Sequence, residues 1–176
     1  MNQVHPSISE LTLAATPNAV AWARRHTVDI LQRWRFPPDG TEVARLLISE
    51  LATNAIPHAR PTETSETATA ESAGPGTIVV RLWPTEGGIV LAVSAPAPQP
   101  PVPRADDASA TGGRGLLLVQ AMATRWGYYQ PRPRSGKTVW AEVPPRPKPG
   151  LGGPDAGGHR AAPILIGRVL TGLREL

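Results

Sequence analysis

The chain contains no cysteine, which excludes disulfide staples and thiolate metal centres and leaves the core to hold by packing alone. Four scattered histidines offer no metal-ligand spacing. No segment approaches the ~20 consecutive apolar residues of a membrane span. The N-terminal stretch MNQVHPSISELTL has neither a basic start nor an apolar targeting core, so a cytoplasmic location is expected. Lysine occurs only at positions 137 and 148. The net charge of +4 and pI near 10.3 therefore come from arginines spread along the chain, with no basic run carrying interleaved aromatics. That distribution argues against a nucleic-acid partner.

What remains suits one domain of roughly 120 to 150 residues with appendages. Residues 8–14 alternate loosely and predict a first strand at a sheet edge. Thr16-Pro17 reads as an N-cap followed by proline at the first helical position, opening a helix that runs to about Trp34. Val20, Ala23, Thr27, Ile30, Leu31 and Trp34 recur on its inner side. FPPDG at 36–40 ends it, and Asp39 or Thr41 can cap the next helix.

That second helix, TEVARLLISELATNAIPHAR over 41–60, interrupts its apolar stripe with polar groups. Val43, Leu46, Leu47, Glu50, Asn54 and Pro57 share one side of the wheel, with Leu51 at its margin. Glu50 and Asn54 stand one turn apart, and burying them unpartnered would cost several kcal/mol. Either a polar ligand meets them, or the helix is rotated so that Glu50 lies at the solvent edge and Asn54 caps the last turn. Pro57 biases Ile56 away from the helical region, so the helix ends or kinks just after Asn54 and Ala55.

From 61 to 76 the chain is PTETSETATAESAGPG, with three acidic residues and no hydrophobic period, which predicts a mobile loop. TIVVRLW (77–83) and GIVLAVS (88–94) flank PTEGG and form a hairpin. Five prolines between Pro96 and Pro103 then take the chain off the sheet, into a lid-like segment over 96–111. A glycine cluster runs directly into LLLVQAMATRW, so a third helix starts at Arg114 or Gly115. WGYYQ and KTVWAEV bracket PRPRSG as a last hairpin, with Thr138, Trp140 and Glu142 alternating against Val139, Ala141 and Val143. The globular domain spans 1–144. A linker follows over 145–163, for eleven of the twenty residues from Pro144 to Pro163 are proline or glycine. Residues 164–176 can form a short amphipathic helix that docks on the domain or on a partner.

TGGRGLLLV at 111–119 has the physics of an anion site, since glycines admit close backbone approach and the free N–H groups of the helix favour negative charge. Arg114 can add a charge-assisted contact. A flexible hinge before a helix looks the same, and no Lys-Ser or Lys-Thr follows as in a Walker A loop. His58 reads as a helix-end residue, Trp126 and Trp140 as core and sheet aromatics. Lys137 reads as a solvated strand-end residue, with a phosphate contact left open.

Taken in order, ELATN on a helix, a strand ending in VS before a Pro-rich excursion, GGRGLLLV opening a helix and a final GKTVW strand resemble the ATPase superfamily of DNA gyrase, heat-shock chaperones, histidine kinases and MutL. The resemblance spans residues 8–144 and is closer to the anti-sigma-factor serine kinases and their small actinobacterial relatives. It implies an α+β fold: a two-layer α/β sandwich of about five mostly antiparallel strands, helices on one face. It also implies ATP and Mg²⁺ as cofactors. On the matching positions, Glu50 resembles the carboxylate that orients or deprotonates the attacking group, and Asn54 the Mg²⁺ ligand. Gly112, Gly113 and Gly115 match the glycines that meet the phosphates, with Arg114 between them and Leu116 continuing into the helix. Thr138 resembles the strand threonine that helps hold adenine.

One position departs from the pattern: Ala95 stands where the family places the aspartate that accepts the adenine amino group. Losing such a bond costs about 1.5 to 3 kcal/mol. Two functions follow. One is a serine/threonine kinase regulator that phosphorylates an antagonist protein or sequesters a sigma factor. The other is a non-catalytic protein-binding module that has lost tight nucleotide binding. A homodimer stays open in both.

Overall fold

The computed structural model describes residues 7–59, 75–97, 114–131 and 136–147. The expected loop over 61–76 except its last two residues, the lid-like segment beyond Ala97, Gly112, Gly113, the linker beyond Pro147 and the tail helix lie outside the described residues. The elements run β1 (Ser9–Ala14), α1 (Ala19–Arg33), α2 (Pro38–Ala55), a 3-10 turn (Ile56–His58), β2 (Thr77–Thr85), β3 (Gly88–Ala95), α3 (Arg114–Met122), β4 (Arg125–Tyr129) and β5 (Lys137–Val143).

Both hairpins form as the β-branched runs predict, and the five strands pair antiparallel throughout in the order β1-β2-β3-β5-β4. β3 and β5 are central, so they carry the longest apolar runs. Strand parity sorts their side chains. Ile78, Val80 and Leu82 of β2, Leu91, Val93 and Ala95 of β3, and Val139, Ala141 and Val143 of β5 share one core with the helices. Val90, Ala92 and Trp140 pack on the opposite face with Trp83 and Tyr129. The fold is thus an α+β two-layer sandwich, with the helices on one face of an antiparallel sheet.

α2 is the spine of the helical layer. Ala44, Leu47, Ile48, Leu51, Ala52 and Ala55 are buried along it, each leucine or isoleucine contributing about 1.5 to 3 kcal/mol by leaving water. Leu46, expected inside, is instead exposed, because the buried stripe is turned toward the Ala44 and Ile48 side. α1 is held to α2 by Arg24, whose Nε donates to Ser49 Oγ at 2.9 Å, while Ser49 Oγ donates to the Arg45 carbonyl at 2.8 Å.

The helix ends differ from their expected chemistry. Neither α1 nor α2 has a side-chain N-cap bond; Thr16 instead accepts the Ala19 N–H through its carbonyl at 2.9 Å, and α1 begins two residues late. α2 starts at Pro38, ahead of the expected caps, because proline lacks the N–H that a cap would satisfy. Thr41 donates its hydroxyl back to the Pro37 carbonyl at 3.0 Å rather than capping. At the other end Ile56 keeps helical angles (φ −55°, ψ −49°) despite Pro57, and the chain tightens into the 3-10 turn. The helix still ends at Ala55, as expected.

Candidate functional site

α3 packs on α2 so closely that the space beside its second residue is filled by the Glu50 side chain. A Cβ on Gly115 would run into the Glu50 carboxylate, with Glu50 Cδ 3.2 Å and Glu50 Cβ 3.4 Å away. The glycine is what lets the carboxylate occupy that position. This contact brings a carboxylate to the N-terminal turn of a nine-residue helix, where backbone N–H groups lack intrahelical acceptors. Leu116, the next residue, is buried and helps anchor that turn.

Glu50 and Asn54 flank the buried stripe of α2 and are both half-buried, so the rotated reading of the helix holds in part. On that edge the Glu50 carboxylate lies against α3. Asn54 does not cap the helix end; its Nδ2 is buried with no hydrogen-bond partner among the described residues. The two ends of a carboxamide are assigned from hydrogen bonding, and no bond fixes them here, so what the geometry establishes is one orphaned polar atom of the amide. An orphan of this kind costs about 1 to 3 kcal/mol unless something meets it.

Ala95 ends β3 on the helix side of the sheet, buried beneath the C-terminal end of α2. The chain after it is tied to that end by the Ala97 N–H, which donates to the His58 carbonyl at 3.0 Å. Opposite Ala95 in the register stands Lys137. Paired residues of an antiparallel ladder point to the same face, so the Lys137 side chain leaves the sheet toward the helices. It is not the solvated strand-end residue expected, being only 3% exposed. Burial lowers its pKa below the ordinary value of 10.5. His58 lies near enough to respond: burial first, then the Lys137 charge, lower its pKa from 6.5.

Thr138 is not brought together with these groups. It lies on the far face of the sheet, where its hydroxyl is 2.7 Å from Ser94 Oγ, and Arg81 donates to that same Ser94 at 3.2 Å. Parity is the reason, since Thr138 alternates with Val139 and shares its face with Trp140 and Glu142. The same alternation points Lys137 inward, a signal present in KTVWAEV that a charged residue at a strand start obscures. Gly112 and Gly113 are outside the described residues. Arg114 begins α3.

A family model described as a histidine kinase-like ATPase domain matches residues 13–143. The chain belongs to that family. No curated protein matches the chain. In this ATPase-domain fold α2 carries Glu50 against Gly115 of α3, while His58 just beyond its end lies near Lys137, which pairs with Ala95 across β3 and β5. Among the described residues no three His, Cys, Asp or Glu side chains converge to hold a metal ion. A metal here would depend on ligands beyond those side chains. Mg²⁺ suits that arrangement, for it takes one or two protein oxygens and completes its shell with phosphate and water, and the orphaned Asn54 amide is a candidate for one of them. Among the described residues, no helix is long and apolar enough to cross a membrane.

Proposed function

We propose that this protein is a regulatory protein kinase of the anti-sigma-factor type, which binds a Mg²⁺–nucleoside triphosphate between α2 and α3 and transfers phosphate to a serine or threonine of a protein partner. The observation that carries the reading is the Glu50 carboxylate lying against Gly115 at the α3 N-terminus, with the unpartnered Asn54 amide one turn along α2.

Each group has a task in that chemistry. The free N–H groups of the first α3 turn receive phosphate oxygens, as helix N-termini do. Gly112, Gly113 and Arg114 belong to the same phosphate contact by the family resemblance of GGRG. Asn54 holds Mg²⁺ through its carboxamide oxygen, and the ion supplies charge neutralisation on the phosphates. Glu50 orients the partner's hydroxyl and accepts its proton. Leu116 excludes water behind the phosphates. Catalysis is then mainly positioning and electrostatics, which a fixed α2–α3 contact provides.

Calorimetric titration of the full chain with nucleoside triphosphates tests this reading. Binding that needs Mg²⁺ and is weakened about tenfold or more by Asn54→Ala is the expected result. Glu50→Ala should retain binding and lose slow phosphate release or transfer. No binding of ATP or GTP in the presence of Mg²⁺ would overturn the reading.

A second reading, a non-catalytic binding module, is favoured by Ala95 alone, which offers no acceptor to a base. It requires that nucleotide bind only after Ala95→Asp. Micromolar binding by the natural chain removes it.

A further inference from the structure

β3 and β5 are buried on both of their faces. Every residue of Lys137–Val143 is buried, and in Gly88–Ala95 only Ser94 is partly exposed. An antiparallel sheet covered on one side alternates apolar residues inward with polar ones outward, and near-continuous apolar runs such as GIVLAV belong to strands covered on both sides. Yet among the described residues the helices pack on one face only. The cluster on the other face, Val90, Ala92 and Trp140 with Trp83 and Tyr129, consists of strand residues alone. Within it Ala92 is 1% and Trp140 9% exposed. The indole N–H groups of Trp83 and Trp140 are also buried, with no hydrogen-bond partner among the described residues. An indole N–H can only donate. The layer that completes this face therefore carries acceptor oxygens, which a polypeptide has and a hydrocarbon surface lacks.

The rest of the chain contains one segment suited to form that layer. Residues 1–6, 60–74, 98–113 and 132–135 are polar or rich in alanine and proline, without an apolar period, and 148–163 are dominated by proline and glycine. Only ILIGRVLTGLREL over 164–176 carries an apolar stripe at helical spacing, formed by Leu165, Val169, Leu173 and Leu176. A segment this short, with Gly167 and Gly172 inside it, does not hold a helix alone in water. Its stripe needs a surface to order against.

We infer that residues 164–176 dock as an amphipathic helix across the open face of the sheet, with the stripe against Trp83, Val90, Ala92 and Trp140. The dimensions agree. At about 1.5 Å per residue the helix is roughly 20 Å long, and five strands about 4.8 Å apart make a sheet of about that width. After β5 the Pro144 and Pro145 carbonyls lie against Gly40, on the helix side. Residues 148–163, at about 3.1 Å each when extended, reach roughly 50 Å, which is ample to turn round the end of the sheet. The tether also holds the tail at a local concentration of about millimolar. A second copy of the chain competing for the same face lacks that advantage.

Hydrogen exchange of the full chain, read by mass spectrometry, tests the docking. Amides of 164–176 are expected to exchange about tenfold or more below the rate of an unstructured peptide, equally at every protein concentration. Val169→Asp with Leu173→Asp should abolish that protection while the sheet amides keep theirs, and hydroxyl-radical labelling of Trp83 and Trp140 should rise severalfold. Trp83→Arg, changed from the sheet side, should release the tail in the same way. Tail amides that exchange at the unstructured rate in the natural chain would overturn the inference, as would unchanged tryptophan labelling in the tail variant. Protection that survives in folded Trp83→Arg would place the tail elsewhere. Protection that grows with protein concentration would give the face to a second copy, and either result overturns it.

Discussion

Glu50 and Gly115 act as a pair, because the glycine leaves the space that the carboxylate fills. Gly115→Ala should leave the sheet and core intact, since the clash falls mainly on the far end of a flexible side chain. It displaces the Glu50 carboxylate from the first α3 turn, however. Misplacement by an ångström is expensive in a positioned site. The expected outcome is a fold-retaining variant, verified by circular dichroism, with phosphate transfer reduced about a hundredfold. Unaltered transfer would show that Glu50 needs no such contact.

Glu142 presents a different residue-scale balance. It is 2% exposed, accepting from Arg125 Nε at 2.7 Å and from the Thr85 hydroxyl at 2.7 Å. Burial alone raises its pKa, but the hydrogen bonds from Arg125 and Thr85 and the Arg125 charge outweigh that, and it ends below the ordinary value of 4.5. Arg125→Ala strands the carboxylate with one donor. A loss of about 2 to 3 kcal/mol in chemical denaturation is expected.

At the scale of elements, the β2–β3 hairpin depends on a single backbone conformation. Gly88 has φ +146°, outside the range that other residues adopt readily, and a Cβ there would collide with the Val143 backbone on β5. Gly88→Ala should therefore destabilise the chain by about 2 kcal/mol or more, through strain and through loss of the β3–β5 register. Thermal unfolding measures it. A similar constraint sets the orientation of α2. Its stripe of Ala44, Leu47, Ile48, Leu51 and Ala55 packs against the sheet, so Glu50 and Asn54 are carried to the flank where α3 can meet them. The polar pair interrupts the helix pattern because that flank of α2 is only half-buried, at the margin of the core.

For the molecule as a whole, two buried ionisable groups on opposite faces of the sheet shape the dependence of stability on pH. Glu142 has a depressed pKa in the folded state, so the native form binds fewer protons than the unfolded one as pH falls below about 4.5. Its contribution is complete above that value and is lost as pH falls through the lowered folded pKa. Lys137 is also depressed, and the sign is the same: stability rises with pH across the interval between its lowered folded pKa and 10.5. Urea unfolding of the natural chain and Lys137→Met at neutral and alkaline pH checks this. Lys137→Met should lack the alkaline gain, so its advantage over the natural chain should be largest at neutral pH and narrow as the pH rises toward 10.5.

The sequence by itself determined the strands and their alternation, the hairpins, the approximate ends of the helices and the conjunction of ELATN with GGRGLLLV. These are local properties, decided by periodicity, proline and glycine, and they suffice to identify the family. Glu50, Asn54 and Gly115 were legible because a polar pair in an apolar stripe and a glycine before a helix are each local anomalies. Only the tertiary structure decided that Gly115 touches Glu50, that the Asn54 amide is left without a partner, and that α2 turns Leu46 outward. Only it decided, too, that Thr138 and Lys137 divide between the two faces of β5. A hydrogen-bond partner or its absence depends on groups far apart in the chain, and residues at neighbouring positions of a strand meet different neighbours. The register that sets Lys137 opposite Ala95 is such a long-range fact.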